Sequence, residues 1–401
     1  MSSQRSSFWI SLFVGFIDHL GVGLVYPLFA SMLFDRNFAL LPPDTSLEVR
    51  GMWLGVLIAL MPLIEFFAAP FWGALSDGKG RKKPLQMSVS FALAGYIVAL
   101  VATYFANIYL LLASRVVIGF AAGNISIVQA AVADLSTPDE KSKNFGLYGM
   151  ALGTGFAFGP FFGGFFSRWG YSIPFLAAIA LVIFNLGVVY YFFRETNFLL
   201  LKKKVSWHVG LLNFKKAFKF KGLRIILLAS FLHCFAWSYF FEFISVYLIA
   251  NFDFSSEDLG LFYGIAGASY ALSTGYLIRP FTAKFKPASL LFAGNLLAGL
   301  SILLFPFVTT TLVLWIAIIV ICYFVAFVWP SATAIVSNHA SGDIQGESLG
   351  IFAAVNAMGF VLSPLLSGSW VGTYPTITMW VSGIILVITS LILFRSLKAI
   401  A

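Results

Sequence analysis

The amino-acid sequence predicts an all-α polytopic membrane protein with twelve membrane-spanning helices in two pseudo-symmetric halves of six. Composition is the first reason. Of 401 residues, 60% are hydrophobic and only 10% are charged, whereas a soluble domain has about 25% charged residues. The second reason is that apolar runs of about 20 residues, enough to cross roughly 30 Å of hydrocarbon, recur along the chain. The third is an internal repeat that relates the two halves.

Twelve apolar runs have the length of a membrane-spanning helix. The first is longer than the apolar core of a signal peptide, about 7 to 15 residues, so we expect it to be retained as a helix. In chain order, the predicted spans are residues 8–32, 52–75, 84–105, 108–131, 145–166, 171–193, 223–250, 258–279, 288–308, 311–336, 347–369 and 376–395.

Positive charge is concentrated on one side of the predicted membrane. With the N-terminus inside, 21 of the 25 Lys and Arg residues fall in cytoplasmic segments or their flanks, and such a bias sets the orientation of multi-pass proteins. We therefore expect a multi-pass protein of a bacterial inner membrane with both termini in the cytoplasm. The net charge of +9 follows from this orientation, so no nucleic-acid partner is expected.

The longest polar stretch divides the chain after the sixth span. It predicts an N-terminal six-helix half over residues 1–193, a basic cytoplasmic linker over 194–222 and a C-terminal six-helix half over 223–401. Lysines and phenylalanines alternate in the linker, which predicts an amphipathic segment lying on the inner leaflet.

An internal repeat supports this division, because glycines and a proline of the fifth span recur 204 residues later in the eleventh. Duplicated six-helix halves of this kind are typical of transporters that bind their substrate between the halves, near the bilayer midplane. The matched pairs are Gly146 and Gly350, Gly155 and Gly359, Pro160 and Pro364, and Gly164 and Gly368.

Enzymatic and ATP-driven chemistry are not expected. No GxxxxGK[ST] loop occurs in the sequence, so uphill work has to draw on an ion gradient. Cys234 and Cys322 both fall in predicted helices and are interpreted as packing residues rather than a disulfide or metal pair. No nucleophile, base and orienting group recur at a recognisable spacing. We expect no metal and no cofactor, with the proton gradient as the energy source.

The segment GALSDGKGRKKP, residues 73–84, follows the second span. It resembles the loop between helices two and three of the major facilitator superfamily, and ADLSTPDEKSKNFG resembles that family's loop after helix four. The resemblance implies the major facilitator fold and a cytoplasmic gate in which Arg81 pairs with Asp134 when the gate is closed. The residues that match the gate are Gly73, Asp77, Gly80, Arg81, Lys82 and Asp134.

The fifth span is unusually rich in glycine and resembles the antiporter signature of twelve-helix drug and proton exchangers. The segment DHLGVGLVYPL in the first span is also similar to the tetracycline-efflux branch. These resemblances imply export in exchange for protons. Because glycines let two helices approach closely in lipid, we expect residues 155–164 to pack against a helix of the opposite half. The signature residues are Gly146, Gly155, Gly159, Pro160, Gly163 and Gly164.

Four ionisable residues lie deep in predicted spans, namely Asp18, Glu65, Arg115 and Glu242. Each costs at least ~2.5 kcal/mol at the bilayer centre, so each should face the interior of the bundle. We expect Asp18 and Glu65 to carry protons together with Arg115, and Glu242 to contact a cationic substrate. The alternative is that Arg115 pairs permanently with Asp18 or Glu65 as a buried strut.

A further set of polar and aromatic residues on the predicted spans is expected to line the substrate cavity. The two histidines among them titrate near neutral pH in water, although a single helix histidine is also common as a hydrogen-bonded packing residue. The cavity candidates are His19, Tyr26, Asn124, Gln129, His233, Trp237, Tyr239, Glu242, Trp329 and Asn356.

These patterns predict a proton-coupled secondary transporter that works by alternating access as a monomer and exports a small amphipathic compound or drug. Two alternatives stay open at the level of sequence. The first is a proton-linked importer of a nutrient or siderophore-like solute on the same fold. The second is a sensor or scaffold in the membrane that transports nothing.

Overall fold

The computed structural model describes residues 2–35, 38, 40–137, 140–198, 200, 211–212, 215–216, 223–339 and 345–400. Within these ranges every regular element is helical, which confirms the predicted all-α class. Most of the predicted basic linker, including Phe214, Phe218 and Phe220, lies outside the described residues, so its position on the inner leaflet stays a prediction.

In the described part of the chain before the linker there are eight helices, and two of them arise where a predicted span is interrupted. The first span is broken after Val25, ahead of Pro27, and the fourth at Gly123 and Asn124. The helices are α1 (Ser2–Val25), α2 (Leu28–Phe34), α3 (Leu47–Lys79), α4 (Lys82–Tyr104), α5 (Ile108–Ala122), α6 (Ile125–Asp134), α7 (Lys141–Ser167) and α8 (Ser172–Tyr191).

Eight further helices follow the linker among the described residues. A π-helical turn, Ser273–Leu277, continues the second of them, and a 3-10 turn, Phe305–Phe307, ends the fourth. The helices are α9 (Arg224–Phe252), α10 (Ser256–Leu272), α11 (Arg279–Thr282), α12 (Pro287–Leu304), α13 (Thr311–Val325), α14 (Val328–His339), α15 (Gln345–Thr373) and α16 (Ile377–Ile400).

Ten helical segments of the described chain are long and apolar enough to cross a membrane, and each coincides with a predicted span to within a few residues. The two remaining predicted spans correspond to α7 and α10. Glycine lowers the mean hydropathy of α7, and α10 has only 17 residues before the π-helical turn. The count of twelve spans therefore stays a prediction.

Contacts between residues divide the chain into two compact units. The first comprises Met1–Thr45, Leu60–Val209 and Ser255–Gly264, and the second comprises Ser46–Ala59, Gly210–Phe254 and Ile265–Ala401. In the first unit α1 packs along α7 and α8, and α4 packs along α5 and α8. In the second unit α9 packs along α15 and α16, and α12 packs along α16.

Three glycines of α7 form its contact with α1 in the first unit. A Cβ atom built on Gly159 would lie 2.6 Å from Gly23 Cα of α1, and Gly155 and Gly163 meet the α1 backbone in the same way. The expectation that residues 155–164 pack against the opposite half is therefore wrong for these three glycines. The physical reason is that α1 presents a glycine of its own, Gly23, and two glycine faces permit backbone contact.

The end of α7 does contact the sequence half that follows the linker. A Cβ on Gly164 would lie 2.7 Å from Gly260 Cα of α10, and the side chains of Arg168 and Glu257 form an ion pair beside this contact. At the other end of α7, a Cβ on Gly146 would have no neighbour within 4 Å among the described residues. Members of the glycine signature thus have different surroundings.

We expect Gly159→Ala to destabilise the protein and Gly153→Ala not to destabilise it, because alanine is the better helix former. The first substitution places a Cβ against the α1 backbone, and overpacking of this kind costs about 1–3 kcal/mol. The second places a Cβ where no described atom lies within 4 Å. The midpoint of thermal unfolding in one detergent measures both, and equal midpoints for the two variants would contradict the α1–α7 contact.

Candidate functional site

Asp18 lies on α1 at the centre of a polar cluster in the first unit. Its Oδ2 accepts a hydrogen bond from Asn124 Nδ2 at 2.9 Å, and its Oδ1 accepts one from Asn185 Nδ2 at 3.1 Å. Asn124 stands at the interruption between α5 and α6, and Asn185 stands in the middle of α8. The carboxyl group of Asp18 is therefore held by two neutral amides.

The sequence analysis predicted Asp18 and Asn124 but missed Asn185. The signal for Asn185 was present, because it is the single amide in the otherwise apolar segment SIPFLAAIALVIFNLGVVYY. A polar residue in such a segment is expensive unless it finds a partner inside the protein. The structure supplies that partner on another helix, which sequence spacing alone does not reveal.

Neither acid in the spans of the first unit is tied to Arg115 as a strut. The hydrogen bonds of Asp18 within the described chain go to the two amides, and the half-buried Glu65 has neither a hydrogen bond nor an ion pair with the described residues. The guanidinium of Arg115 lies 4.8 Å from the ring centroid of Phe29. The permanent pairing of Arg115 with Asp18 or Glu65 is therefore wrong for this structure.

Two buried tyrosines, Tyr96 and Tyr148, complete the surroundings of Asp18. The Tyr96 hydroxyl lies 3.1 Å from a Cβ built on Gly21, and the ring of Tyr148 packs at Gly15. Both phenol groups interact electrostatically with Asp18. Small residues one turn from Asp18 on α1 thus make room for hydroxyl-bearing rings.

His233 on α9 is the counterpart of Asp18 in the second unit. Asn295 Nδ2 donates to the carbonyl of Leu291 at 2.8 Å, so its Oδ1 is the atom that faces His233 Nδ1 at 2.9 Å. His233 must therefore carry its proton on Nδ1 and leave Nε2 as an acceptor. The next residue, Cys234, donates its S–H to Asn356 Oδ1 at 3.5 Å.

The internal repeat makes Asp18 and His233 equivalent. Gly155 faces the carbonyl of Phe16 and the amide of Leu20, and Gly359 faces the carbonyl of Phe231 and the amide of Phe235. These backbone contacts relate α1 to α9 by a shift of 215 residues. The same shift carries Asp18 to His233, so each unit places a titratable side chain, bound to a neutral amide, at the same point.

The other cavity candidates do not form one cluster. His19 Nδ1 donates to the carbonyl of Gly15 on its own helix at 3.1 Å, so His19 is a hydrogen-bonded packing residue. Tyr26 packs on Tyr263 with ring centroids 5.2 Å apart. Gln129 is exposed, and Trp329 is 44% exposed.

The second unit holds four of the remaining candidates. Trp237 stacks on Phe241 at 4.9 Å, and the buried Tyr239 has a side-chain hydrogen bond with Ser367. Glu242 is half-buried on the same helix, α9, and Asn356 is buried on α15. The Nδ2 atom of Asn356 has no hydrogen-bond partner among the described residues.

The predicted gate residues form a charged cluster where α3, α4 and α6 meet. Arg81 Nη1 donates to Asp77 Oδ1 at 2.6 Å, and Arg81 Nε donates to Asp134 Oδ2 at 3.0 Å. Burial by itself lowers the pKa of Arg81, but its hydrogen bonds to Asp134 and Asp77 outweigh that effect and raise the pKa. Gly73 packs near Ser126 of α6.

Glu195, which sequence reasoning missed, joins this cluster by capping α4. Its carboxylate accepts the backbone N–H groups of Arg81 at 2.6 Å and Lys82 at 3.1 Å, the position where a helix favours an anion. Burial by itself raises the pKa of Glu195, but backbone N–H donors, Arg81 first, lower it below its usual range. Gly80 turns beside the carboxylate with a φ of 83°. The signal was that Glu195 is the one acid between residues 194 and 222.

A polytopic helical fold with polar and titratable groups buried in its spans, together with a charged loop cluster, is an arrangement found in membrane transporters. The family profile of the Major Facilitator Superfamily matches residues 11–321. The chain therefore belongs to that superfamily, as its motifs implied.

Its relatives include proteins that are named for drug resistance. The chain is 27% identical to "Tetracycline resistance protein, class C" of Escherichia coli over 87% of this chain and 86% of the relative. It is 28% identical to "Multidrug resistance protein 2" of Bacillus subtilis (strain 168), over 92% and 89%. Among solved structures, a D-xylose-proton symporter has the same fold, with a TM-score of 0.79 at 16% identity, covering 98% of each chain.

We expect Glu195→Ala to speed hydrogen exchange at the amides of Arg81 and Lys82 by about tenfold. Hydrogen bonds to a charged group contribute about 1.5–3 kcal/mol, and part of this is lost to solvent screening because Glu195 is partly exposed. Because the folded pKa of Glu195 is lowered, its cap is present at neutral pH and is lost only as the pH falls through that lowered value.

Exchange mass spectrometry on peptides that contain residues 80–83 measures the effect. The matched control is Glu140→Ala, because Glu140 accepts from Thr137 at 2.9 Å and is not part of this cap. Unchanged exchange in the Glu195 variant would show that the cap does not form in solution.

Proposed function

We propose that the protein exports a small amphipathic compound in exchange for protons, by alternating access. The observation that carries the proposal is the carboxyl group of Asp18, which two neutral amides hold in the helix bundle and which no cation of the described chain contacts. A carboxylate without a counter-charge is costly inside a membrane, whereas the protonated acid needs no counter-charge. Asp18 can therefore exist in either state as access to water alternates.

Exchange follows if proton and substrate compete for the same state of the protein. A proton from the outer water binds Asp18 and favours return of the empty transporter. Release of that proton to the cytoplasm restores the charged site, which then favours binding of substrate from inside. Glu65, half-buried on α3, is the second proton carrier in this scheme, and Arg115 lies close enough to influence the charge of the cluster.

The export direction draws support from the relatives, whose names refer to resistance to tetracycline and to multiple drugs. Within the second unit, Trp237 and Glu242 both lie on α9, and an aromatic ring and a carboxylate suit a substrate that is partly aromatic and carries a cationic group. The protein is proposed to act as a monomer in a bacterial inner membrane, with both termini in the cytoplasm.

Inside-out vesicles test the direction of transport. A proton gradient that is acidic in the lumen is imposed, and the uptake of tetracycline and of ethidium is followed. Export predicts accumulation in the lumen that collapses with an uncoupler. If the probes accumulate in right-side-out vesicles instead, the protein is an importer. If no substrate-linked proton flux occurs in either orientation, the protein does not transport these probes.

We expect Asp18→Asn to abolish uphill transport while substrate binding stays within about threefold of wild type. The amide occupies the volume of the acid but cannot take up a proton. Proton-driven uptake and binding-induced thermal shift are measured on the same preparation, with Asp44→Asn as the control because Asp44 is exposed. Uphill transport by the Asp18 variant at the wild-type rate would exclude Asp18 as an essential carrier.

A further inference from the structure

Of the two polar atoms in the side-chain amide of Asn185, the nitrogen has a hydrogen-bond partner and the oxygen has none among the described residues. Nδ2 donates to Asp18 Oδ1 at 3.1 Å, and Asn185 as a whole has no exposed surface. Its Oδ1 atom is buried and has no hydrogen-bond partner among the described residues. An unpaired buried acceptor is uncommon in folded proteins and is costly, so it calls for a physical explanation.

The chemistry of Asp18 provides that explanation. The ionised carboxylate only accepts hydrogen bonds, and the two amides now supply two donors. The protonated acid has an O–H donor that needs an acceptor within reach. Asn185 Oδ1 is the unbound oxygen on the same amide that already contacts Asp18, and it reaches Asp18 when the amide rotates by about 180° about its last side-chain bond.

We propose that Asn185 is a positioning residue that turns its amide when Asp18 is protonated. This proposal rests on the proposed role of Asp18 as proton carrier. With Asp18 ionised, Asn185 donates through Nδ2. When a proton from water bonds to the facing Asp18 oxygen, the N–H···O contact breaks, the amide turns, and the new O–H donates to Asn185 Oδ1. Release of the proton reverses each change.

The other groups around Asp18 do not offer this exchange. Asn124 binds the opposite oxygen, Oδ2. Of the elements packed on α1, α6 carries one ionisable group, Asp134 at its end, and α8 carries Tyr190 and Tyr191 at its end.

Five further titratable groups lie around Asp18. His19, on the same helix, donates to Gly15. Tyr96 of α4 interacts electrostatically with Asp18 and with Arg115. Tyr148 of α7 interacts electrostatically with Asp18 and with Glu65. Each is on a different element from Asn185, and their charges act on both states of Asp18 without forming a hydrogen bond to it.

The consequence is kinetic. Because the amide offers either an N–H donor or an oxygen acceptor, the Asp18 carboxyl group keeps a hydrogen bond to Asn185 in both of its protonation states. A side chain that can both donate and accept should preserve this property, and an apolar side chain of the same shape should remove it. Threonine and valine form such a matched pair at position 185.

The test follows proton binding directly and needs no substrate. Full-length protein in lipid nanodiscs is subjected to a pH jump, and time-resolved infrared difference spectra record the carboxylic acid band that Asp18→Asn removes. Asparagine labelled with 13C at the side-chain carbonyl identifies the amide band of Asn185, which Asn185→Val removes. We expect the two bands to change together in the wild type.

We also expect Asn185→Val to slow protonation of Asp18 by at least about tenfold, and Asn185→Thr to stay within about threefold of wild type, because the hydroxyl donates and accepts. Thermal unfolding midpoints confirm that both variants are folded. An Asp18 band that titrates with no change in the Asn185 amide band, or equal rates for the valine and threonine variants, would overturn the role of Asn185. The absence of any Asp18 band in the wild type would instead contradict the proposed function.

Discussion

The first unit depends on one constraint, which is that a carboxyl group sits among membrane-spanning helices and is held by neutral amides. Asp18 is satisfied by Asn124 and Asn185, and each amide comes from a different place in the chain. The break between α5 and α6 presents Asn124, and the middle of an apolar helix presents Asn185. Because charge in this environment is costly, the helices around α1 have to keep their positions for the site to exist.

Glycine contacts hold those helices in place. The backbone of α7 meets the backbone of α1 at Gly23, and this contact sets the rotation of α1 and hence the direction of Asp18. Glycine weakens an isolated helix by about 1 kcal/mol, but Gly155, Gly159 and Gly163 of α7 form a packing surface within the first unit. The nearby tyrosines use the space that small residues of α1 leave.

The repeat gives the second unit the same geometry with different chemistry. Gly359 meets α9 through the same backbone atoms by which Gly155 meets α1, and this correspondence places His233 where the first unit has Asp18. An imidazole bound to Asn295 has replaced an acid bound to two amides. The duplicated architecture therefore conserves a position for a polar, titratable group, while its chemistry differs between the units.

The sequence by itself determined the class of fold, the limits of ten spans and the family, because hydropathy and loop motifs are local properties of the chain. It also identified Asp18, since an acid in an apolar run is visible without a structure. Only the tertiary structure decided that Asp18 binds Asn185, that Glu195 caps α4, and that three glycines of α7 (Gly155, Gly159 and Gly163) face α1. These contacts join residues far apart in the chain, and their formation depends on helix rotation and on which backbones approach closely, which no local pattern specifies.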